Sequence, residues 1–182
     1  MSGMKIILIS GLPASGKTTV GKKLAEMLKL PLYGKDDFKE IMFDTIGWED
    51  LDWSEKIGSA SLEIMYELIN IEASAGKSLI AEGNFQVEKD KERFEKLKKK
   101  YALEVVEVMC EAPNDLLAKR FKERAERGDR HPGHRDKENM QKFEDGIEAA
   151  HAKPLNLGKL IKVETADFSK IDYAKLMKEI KE

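Results

Sequence analysis

Met4-Lys5-Ile6-Ile7-Leu8-Ile9-Ser10, running into Gly11-Leu12-Pro13-Ala14-Ser15-Gly16-Lys17-Thr18, decides how this chain is read. A short apolar run meets a Gly-x-x-x-x-Gly-Lys-Thr loop, and a helical pattern begins at Lys17. When a strand turns through glycines into a helix N-terminus, successive backbone N–H groups face inward and the positive end of the helix dipole adds to their pull on an anion. The stretch predicts a phosphate cradle. Lys17 is placed to neutralise the β- and γ-phosphates of a nucleotide, and Thr18 to ligate magnesium. The competing role for the same residues is a plain strand-to-helix turn.

Outward from the loop, strand and helix signals alternate. The pattern predicts strands over about 4–10, 30–34, 78–82, 103–110 and 160–165. The first helix, 17–29, carries Val20, Leu24, Ala25 and Leu28 on one face, and Pro31 forbids its continuation. An aspartate of Lys35-Asp36-Asp37-Phe38-Lys39 can cap the second helix. Asp52 with Glu55 resembles a capping box for a third helix reaching 75, with Ile57, Ala60, Ile64, Leu68 and Ile71 as its apolar stripe. Further helices are expected over 88–100, 114–127, 137–151 and from 170 onward. Such alternation specifies an α/β fold with a mainly parallel, doubly wound sheet, here in a single domain over 1–182.

Composition narrows the function classes. The 182 residues are 41% hydrophobic and 36% charged, with a formal net charge of -2, which argues against general affinity for nucleic acid or an anionic membrane. Cys110 is the only cysteine, so an internal disulfide and a cysteine-based metal site are excluded and a reducing compartment is expected. It closes an apolar run and reads as buried filler. The apolar run before Gly11 is too short for a signal peptide, and no stretch approaches a membrane span, so a cytoplasmic location is expected.

In a doubly wound sheet, ligands bind beyond the carboxyl ends of the strands. That rim gathers the phosphate loop, Asp36 and Asp37, the segment Glu82 to Phe85, the arginines after the fourth strand and Ala166-Asp167-Phe168. Phosphoryl transfer needs such parts: a cradle, magnesium, a carboxylate at the attacking hydroxyl, and arginines over the γ-phosphate. Asp36 is the candidate general base, with Asp37 sharing the candidacy and a helix N-cap as the competing role. Glu82, at the end of an apolar strand, suits an acidic residue that holds magnesium through water; a solvated strand end is the alternative. Arg120, Arg124, Arg127 and Arg130 fall within eleven residues and suggest an arginine-rich lid over about 125–137. His131 and His134, with no third ligand in sequence, read as polar loop groups rather than a metal site. Phe38, Trp48, the long third helix and Asn84 are expected around the acceptor, while Trp48 and Trp53 could equally pack a helix start.

Taken together, Gly11 to Thr19, Lys35-Asp36-Asp37-Phe38-Lys39, Ala81-Glu82-Gly83-Asn84-Phe85, Arg120 with Arg124, and Gly128-Asp129-Arg130-His131-Pro132-Gly133-His134 resemble the kinases of the P-loop kinase superfamily often labelled AAA-domain or zeta-toxin-like. Polynucleotide 5′-hydroxyl kinases and chloramphenicol phosphotransferase are relatives of that group. The resemblance implies a five-stranded parallel core in the order 2-3-1-4-5 and a requirement for ATP and Mg2+. It implies an adenine between Arg120 and the segment Thr165, Ala166, Asp167, Phe168, with Arg124, Arg127 and Arg130 reaching the phosphates when the lid closes. In polynucleotide kinases an aspartate of the Asp-Asp pair is the base, which matches Asp36, and an arginine three residues on steers the acceptor phosphate. Lys39 stands at that position here, keeping the charge without the bidentate fork, which disfavours a nucleic-acid end as acceptor. The expected activity is ATP-dependent phosphoryl transfer to a hydroxyl of a small molecule. In that scheme Lys17, Asp36, Arg127 and Arg130 are catalytic, and Asp36, Asp37, Lys39 and Asn84 meet the acceptor. A nucleotide-dependent switch with slow ATPase, and a kinase of nucleic-acid 5′ ends or nucleotide-sugars, are the competing readings; oligomeric state leaves no trace in the sequence.

Overall fold

The computed structural model describes residues 3–147 and 152–182. Five strands, β1 (Lys5–Ser10), β2 (Leu32–Gly34), β3 (Leu79–Glu82), β4 (Glu104–Glu111) and β5 (Lys159–Glu164), form one sheet in the order β2-β3-β1-β4-β5. Every pairing is parallel. The helices are α1 (Lys17–Leu28), α2 (Lys35–Ile46), α3 (Leu51–Ser74), α4 (Val87–Tyr101), α5 (Asn114–Arg127), α6 (Asp136–Ile147) and α7 (Tyr173–Lys181). The expected strand order holds. The helix expected to reach 151 is described as far as Ile147; residues 148–151 lie outside the described residues. Among the described residues, no helix is long and apolar enough to cross a membrane.

A strand buried on both faces must be apolar throughout, and β1 meets that demand by splitting its side chains between two cores. Ile6 and Leu8 pack with Met65, Ile69 and Phe94 under α3 and α4, whereas Ile7 and Ile9 pack with Val20, Leu24 and Leu176 under α1 and α7. All four β1 isoleucine and leucine side chains are at most 1% exposed. Cys110 lies in the second core, as its apolar context predicts. The register sets Ile9 opposite Glu82, Gly34 opposite Glu82 and Ser10 opposite Met109, so three strand ends open onto one rim.

Three local expectations are corrected. Asp50, not Asp52, caps α3, accepting a 2.8 Å hydrogen bond from the Trp53 N–H; the helix starts two residues earlier than the capping-box spacing suggests. No aspartate caps α2: its N-cap is Gly34, and Asp36 and Asp37 sit in the first turn, near the positive end of the helix dipole. The inward face of α3 is Ser54, Ile57, Gly58, Ser61, Met65, Ile69 and Ala73, leaving Ile64 and Ile71 exposed. Small residues let α2 approach this face, and the buried Ser61 hydroxyl is satisfied by the Ile57 carbonyl at 2.7 Å. A stripe chosen by hydrophobicity misses a face built that way.

Candidate active site

The phosphate loop owes its shape to backbone angles that side chains resist. Gly11 has φ 147° and Gly16 φ 81°, with Ala14 also in the positive region at φ 62°. A Cβ on Gly11 would come within 2.5 Å of the Cys110 carbonyl oxygen, and one on Gly16 would strike the Phe168 ring. The Lys17 ammonium is held back along the loop, donating to the carbonyls of Gly11 at 3.1 Å and Leu12 at 2.9 Å. Burial lowers its pKa, an effect that the nearby Glu82 carboxylate opposes. Thr18 donates its hydroxyl to Glu82 Oε2 at 3.0 Å. Glu82 is 7% exposed, and burial raises its carboxyl pKa against the field of Lys17. A threonine hydroxyl and a carboxylate side by side form a hard oxygen pair suited to magnesium.

These groups line a cleft of about 900 Å³ whose walls also include Leu12, Pro13, Ala14 and Thr19 of the loop and first helical turn. Lys17 and Asp36 therefore face one space. Asp37 is turned away, its carboxylate against Gly34, and is not part of the lining. Asp36 Oδ2 is ion-paired with Arg130, while Oδ1 accepts no hydrogen bond among the described residues. Enclosure by the cleft pushes the Asp36 pKa up, but the fields of Arg130, Lys35 and Lys17 more than reverse this and hold the carboxyl below its usual range.

Arg120 and Arg124 project from one face of α5 into the cleft. Arg120 Nη2 donates to the carbonyls of Thr165 and Ala166, both at 3.0 Å, and its guanidinium lies 5.0 Å from the Phe168 ring centroid. Arg124 pairs with Asp136 at 3.0 Å, and Arg130 pairs with the same carboxylate at 3.1 Å. Ser15 Oγ, Arg120 Nη1 and Arg124 Nη2 are buried without a hydrogen-bond partner among the described residues. Three orphaned polar groups around an inward-facing backbone loop fit an anionic nucleotide chain, because a buried donor left unpaired costs about 1–3 kcal/mol.

The remaining expected residues sit further out. Arg127 stands at the rim, held by Asp129 at 2.5 Å and by Glu123 at 4.0 Å. Thr165 is fully buried behind the loop, donating its hydroxyl to the carbonyls of Ser15 at 2.8 Å and Glu111 at 2.9 Å, so its side chain braces the cradle. Asp167 caps a short turn through Ser169. Asn84 accepts from the Lys35 ammonium at 3.1 Å, and Lys39 donates to Ser54 Oγ at 2.8 Å. Phe38 packs beside Tyr33 against the core, Trp48 against His131 and Arg135, and the Trp53 indole N–H donates to the Gly47 carbonyl; none of the three lines the cleft. Aromatic bulk near α2 is spent on packing.

The histidine turn is no solvated loop. His134 is 5% exposed and 2.9 Å from Glu40 Oε1, His131 stacks on Phe43 at 5.2 Å, and Gly133 leaves room for the same ring. Burial, with Arg130 adding to it, pushes the His134 pKa well down. A neutral ring that donates from Nε2 to Glu40 leaves Nδ1 to accept from Arg130 at 2.8 Å. This turn thereby clamps the arginine-bearing segment onto α2. Phe168, expected beside the adenine, lines the cleft, and so do Lys35 and Asp136, to which the sequence assigns no role. The i,i+4 spacing of Lys35 and Lys39 was the one available signal.

A family model described as an AAA domain matches residues 6–149. A candidate kinase of known structure from Chloroflexus aurantiacus j-10-fl is 35% identical, with a TM-score of 0.88 over 98% of this chain and 96% of that one. The APS kinase CysC of Mycobacterium tuberculosis, solved with AMPPNP and APS, shares the fold at 13% identity, with a TM-score of 0.64 and full coverage of both chains. Shikimate kinase from Acinetobacter baumannii, solved with shikimate, shares it at 18% identity and a TM-score of 0.52 over 98% of this chain and 93% of that one. No curated protein sequence matches.

Proposed function

The chain belongs to the AAA domain family, within the P-loop kinase superfamily, and on that footing we propose that it transfers the γ-phosphoryl group of ATP to a hydroxyl of a small molecule. The observation that carries this reading is that Lys17 and Asp36 line the same cleft, one at the phosphate loop and one across from it. In the proposed reaction the acceptor oxygen bonds to the γ-phosphorus, the bond to the β-bridging oxygen breaks, and ADP leaves. The hydroxyl proton passes to Asp36, whose Oδ1 is open to accept it.

A carboxylate held below its usual pKa is ionised at neutral pH and ready to take a proton; its low basicity is offset by position. Lys17 and the orphaned Arg124 donor face the phosphates, where charge builds up in the transition state. Thr18 and Glu82 would hold magnesium, which when bound neutralises part of the charge on the β- and γ-phosphates. Arg120 and Phe168 offer an aromatic and guanidinium surface for the base of the nucleotide.

Residues 125–137 would form the lid of such an enzyme. Its clamp on α2, through His131, His134 and Arg130, supports a closed arrangement that keeps water from the γ-phosphate. The test is to incubate the protein with magnesium and γ-labelled ATP against pools of hydroxyl compounds. Label in an organic product supports the reading. Label released only as inorganic phosphate, with every pool, favours the nucleotide switch instead.

A further inference from the structure

Asp36 and Glu40 stand one turn apart on α2, and a single hydrogen-bonded chain joins them through the segment after α5. His134 Nε2 lies 2.9 Å from Glu40 Oε1. Arg130 Nη2 is 2.8 Å from His134 Nδ1 and 3.2 Å from Nε2, and it also donates to Asp36 Oδ2. The other terminal nitrogen, Nη1, donates to Asp136 Oδ1 at 3.1 Å. The clamp therefore ends on the candidate base itself.

A guanidinium facing a carboxylate ordinarily offers two parallel N–H groups, one to each oxygen. Arg130 does not. Asp136 draws off Nη1, and His134 takes one of the two hydrogens on Nη2, so one N–H remains for Asp36 and it falls on Oδ2. Oδ1 accepts no hydrogen bond among the described residues, and it is the oxygen to which the proposed reaction delivers the proton. His134 can divide the hydrogens in this way in one protonation state. Nδ1 must turn a lone pair to the cation, so the ring is neutral and its proton sits on Nε2, where Glu40 accepts it. Burial and the charges of Arg130, Lys39 and Arg124 all disfavour a second cation there, against the pull of Asp36. A carboxylate at that position would compete with Asp36 for the charge of the guanidinium, whereas a neutral acceptor takes a hydrogen and leaves the charge.

We propose that His134, held in its tautomer by Glu40, is a positioning residue that limits Arg130 to a single contact with Asp36, and so keeps the second carboxylate oxygen open to the acceptor hydroxyl. The chemistry rests on the kinase reading above, whereas the hydrogen-bond arrangement can be measured without it. Once the ring acceptor is removed, the freed N–H has Asp36 within reach, and the guanidinium closes on both oxygens. A neutral ring adds no charge of its own beside Asp36. The other charged groups around that carboxyl are Lys17 of α1, Lys35 and Lys39 of α2, Glu82 of β3 and Arg124 of α5, and none is altered by a change of His134. Movement of the Asp36 titration then reports the guanidinium, and a tighter grip moves it down.

Two measurements test it, and the first needs neither nucleotide nor acceptor. In protein labelled with nitrogen-15 histidine, the His134 ring signals, assigned by their loss in His134→Asn, should show Nε2 protonated and Nδ1 bare between about pH 5 and 8. The Asp36 carboxyl, followed by carbon-13 resonance and assigned with Asp36→Asn, should titrate at lower pH in His134→Leu than in the unaltered protein. In His134→Asn, whose amide oxygen can stand in for Nδ1, it should return towards the unaltered position. A doubly protonated ring, a bare Nε2, or an Asp36 titration that is unmoved or raised in His134→Leu overturns the inference. The ring signals of the unaltered protein decide the matter even where the leucine variant does not fold.

The second measurement is label transfer. His134→Leu and Glu40→Leu should each lower kcat by about tenfold to a hundredfold, as misplaced catalytic groups do, with KM for ATP little changed. Glu40→Gln, whose amide oxygen still accepts from Nε2, should keep most of the rate. With Arg130→Met already in place, His134→Leu should cost little more, because no guanidinium is left to divide. Full additivity of those two substitutions overturns the inference and assigns the ring to packing. Absence of transfer to every compound by the unaltered protein, with the ring state and the Asp36 shift as expected, would count against the kinase reading and leave the hydrogen-bond arrangement standing.

Discussion

The two ends of the cleft are built by different means. At the nucleotide end, one continuous stretch from β1 into α1 supplies the loop, Lys17 and Thr18, and its shape follows from backbone angles at Gly11 and Gly16. At the end proposed for the acceptor, Lys35, Asp36 and Lys39 come from α2, Asn84 from the segment after β3, and Arg130 and His134 from the segment after α5. Little backbone shape is prescribed there, and ion pairs among side chains set the geometry. A backbone-built cradle suits a ligand part that never changes, whereas a site assembled from side chains can be retuned by single substitutions. That contrast orders what substitutions should do.

The largest effect is expected at the cradle. Lys17→Ala should reduce ATP turnover to background, read by coupled ADP release, while thermal unfolding changes little because, among the described residues, the ammonium donates to just two loop carbonyls. Substantial turnover in that variant would break the comparison at its stronger end.

A smaller effect is expected where the two ends are stitched together. Asp136 holds both Arg124 and Arg130 with only 12% of its side chain exposed. Asp136→Asn keeps the shape but not the charge, and loosening both arginines should lower kcat by about tenfold to a hundredfold, as misplaced catalytic groups do. ATP affinity measured by fluorescence titration should move less than kcat.

The smallest effect concerns pH. Lys39 is held at about 8 by burial, with Lys35 and Arg130 lowering its pKa and Asp36 and Asp136 raising it. Its ammonium is present below that value and lost above it, so kcat/KM for the acceptor should be level at lower pH and fall as pH rises through about 8. Lys39→Arg, which stays charged, should remove the alkaline fall. An unchanged profile in that variant would place the titrating group elsewhere.

What could be read in the sequence follows the same division. Strand positions, the loop and the rim were legible because they rest on local periodicity and on one contiguous motif; the strand order came only with the family resemblance. The buried face of α3 was not, since Ser54, Gly58 and Ser61 hide among polar residues until α2 is packed against them. Asp136 reads as part of the arginine-rich lid segment, and only the fold reveals the two arginines it holds. His134 reads as a polar turn residue until Glu40 and Phe43 enclose it, contacts that span the chain. Lys35 stood inside a recognised motif without a role, because a lysine's partner, or lack of one, is a tertiary property.

The central claim is that Asp36 takes the proton of a hydroxyl facing the phosphate loop. It is tested most directly by single-turnover transfer from γ-labelled ATP with Asp36→Asn beside the unaltered protein. The account predicts unchanged ATP binding and a transfer rate lower by about a hundredfold to ten-thousandfold. Transfer at the full rate by the asparagine variant would contradict it.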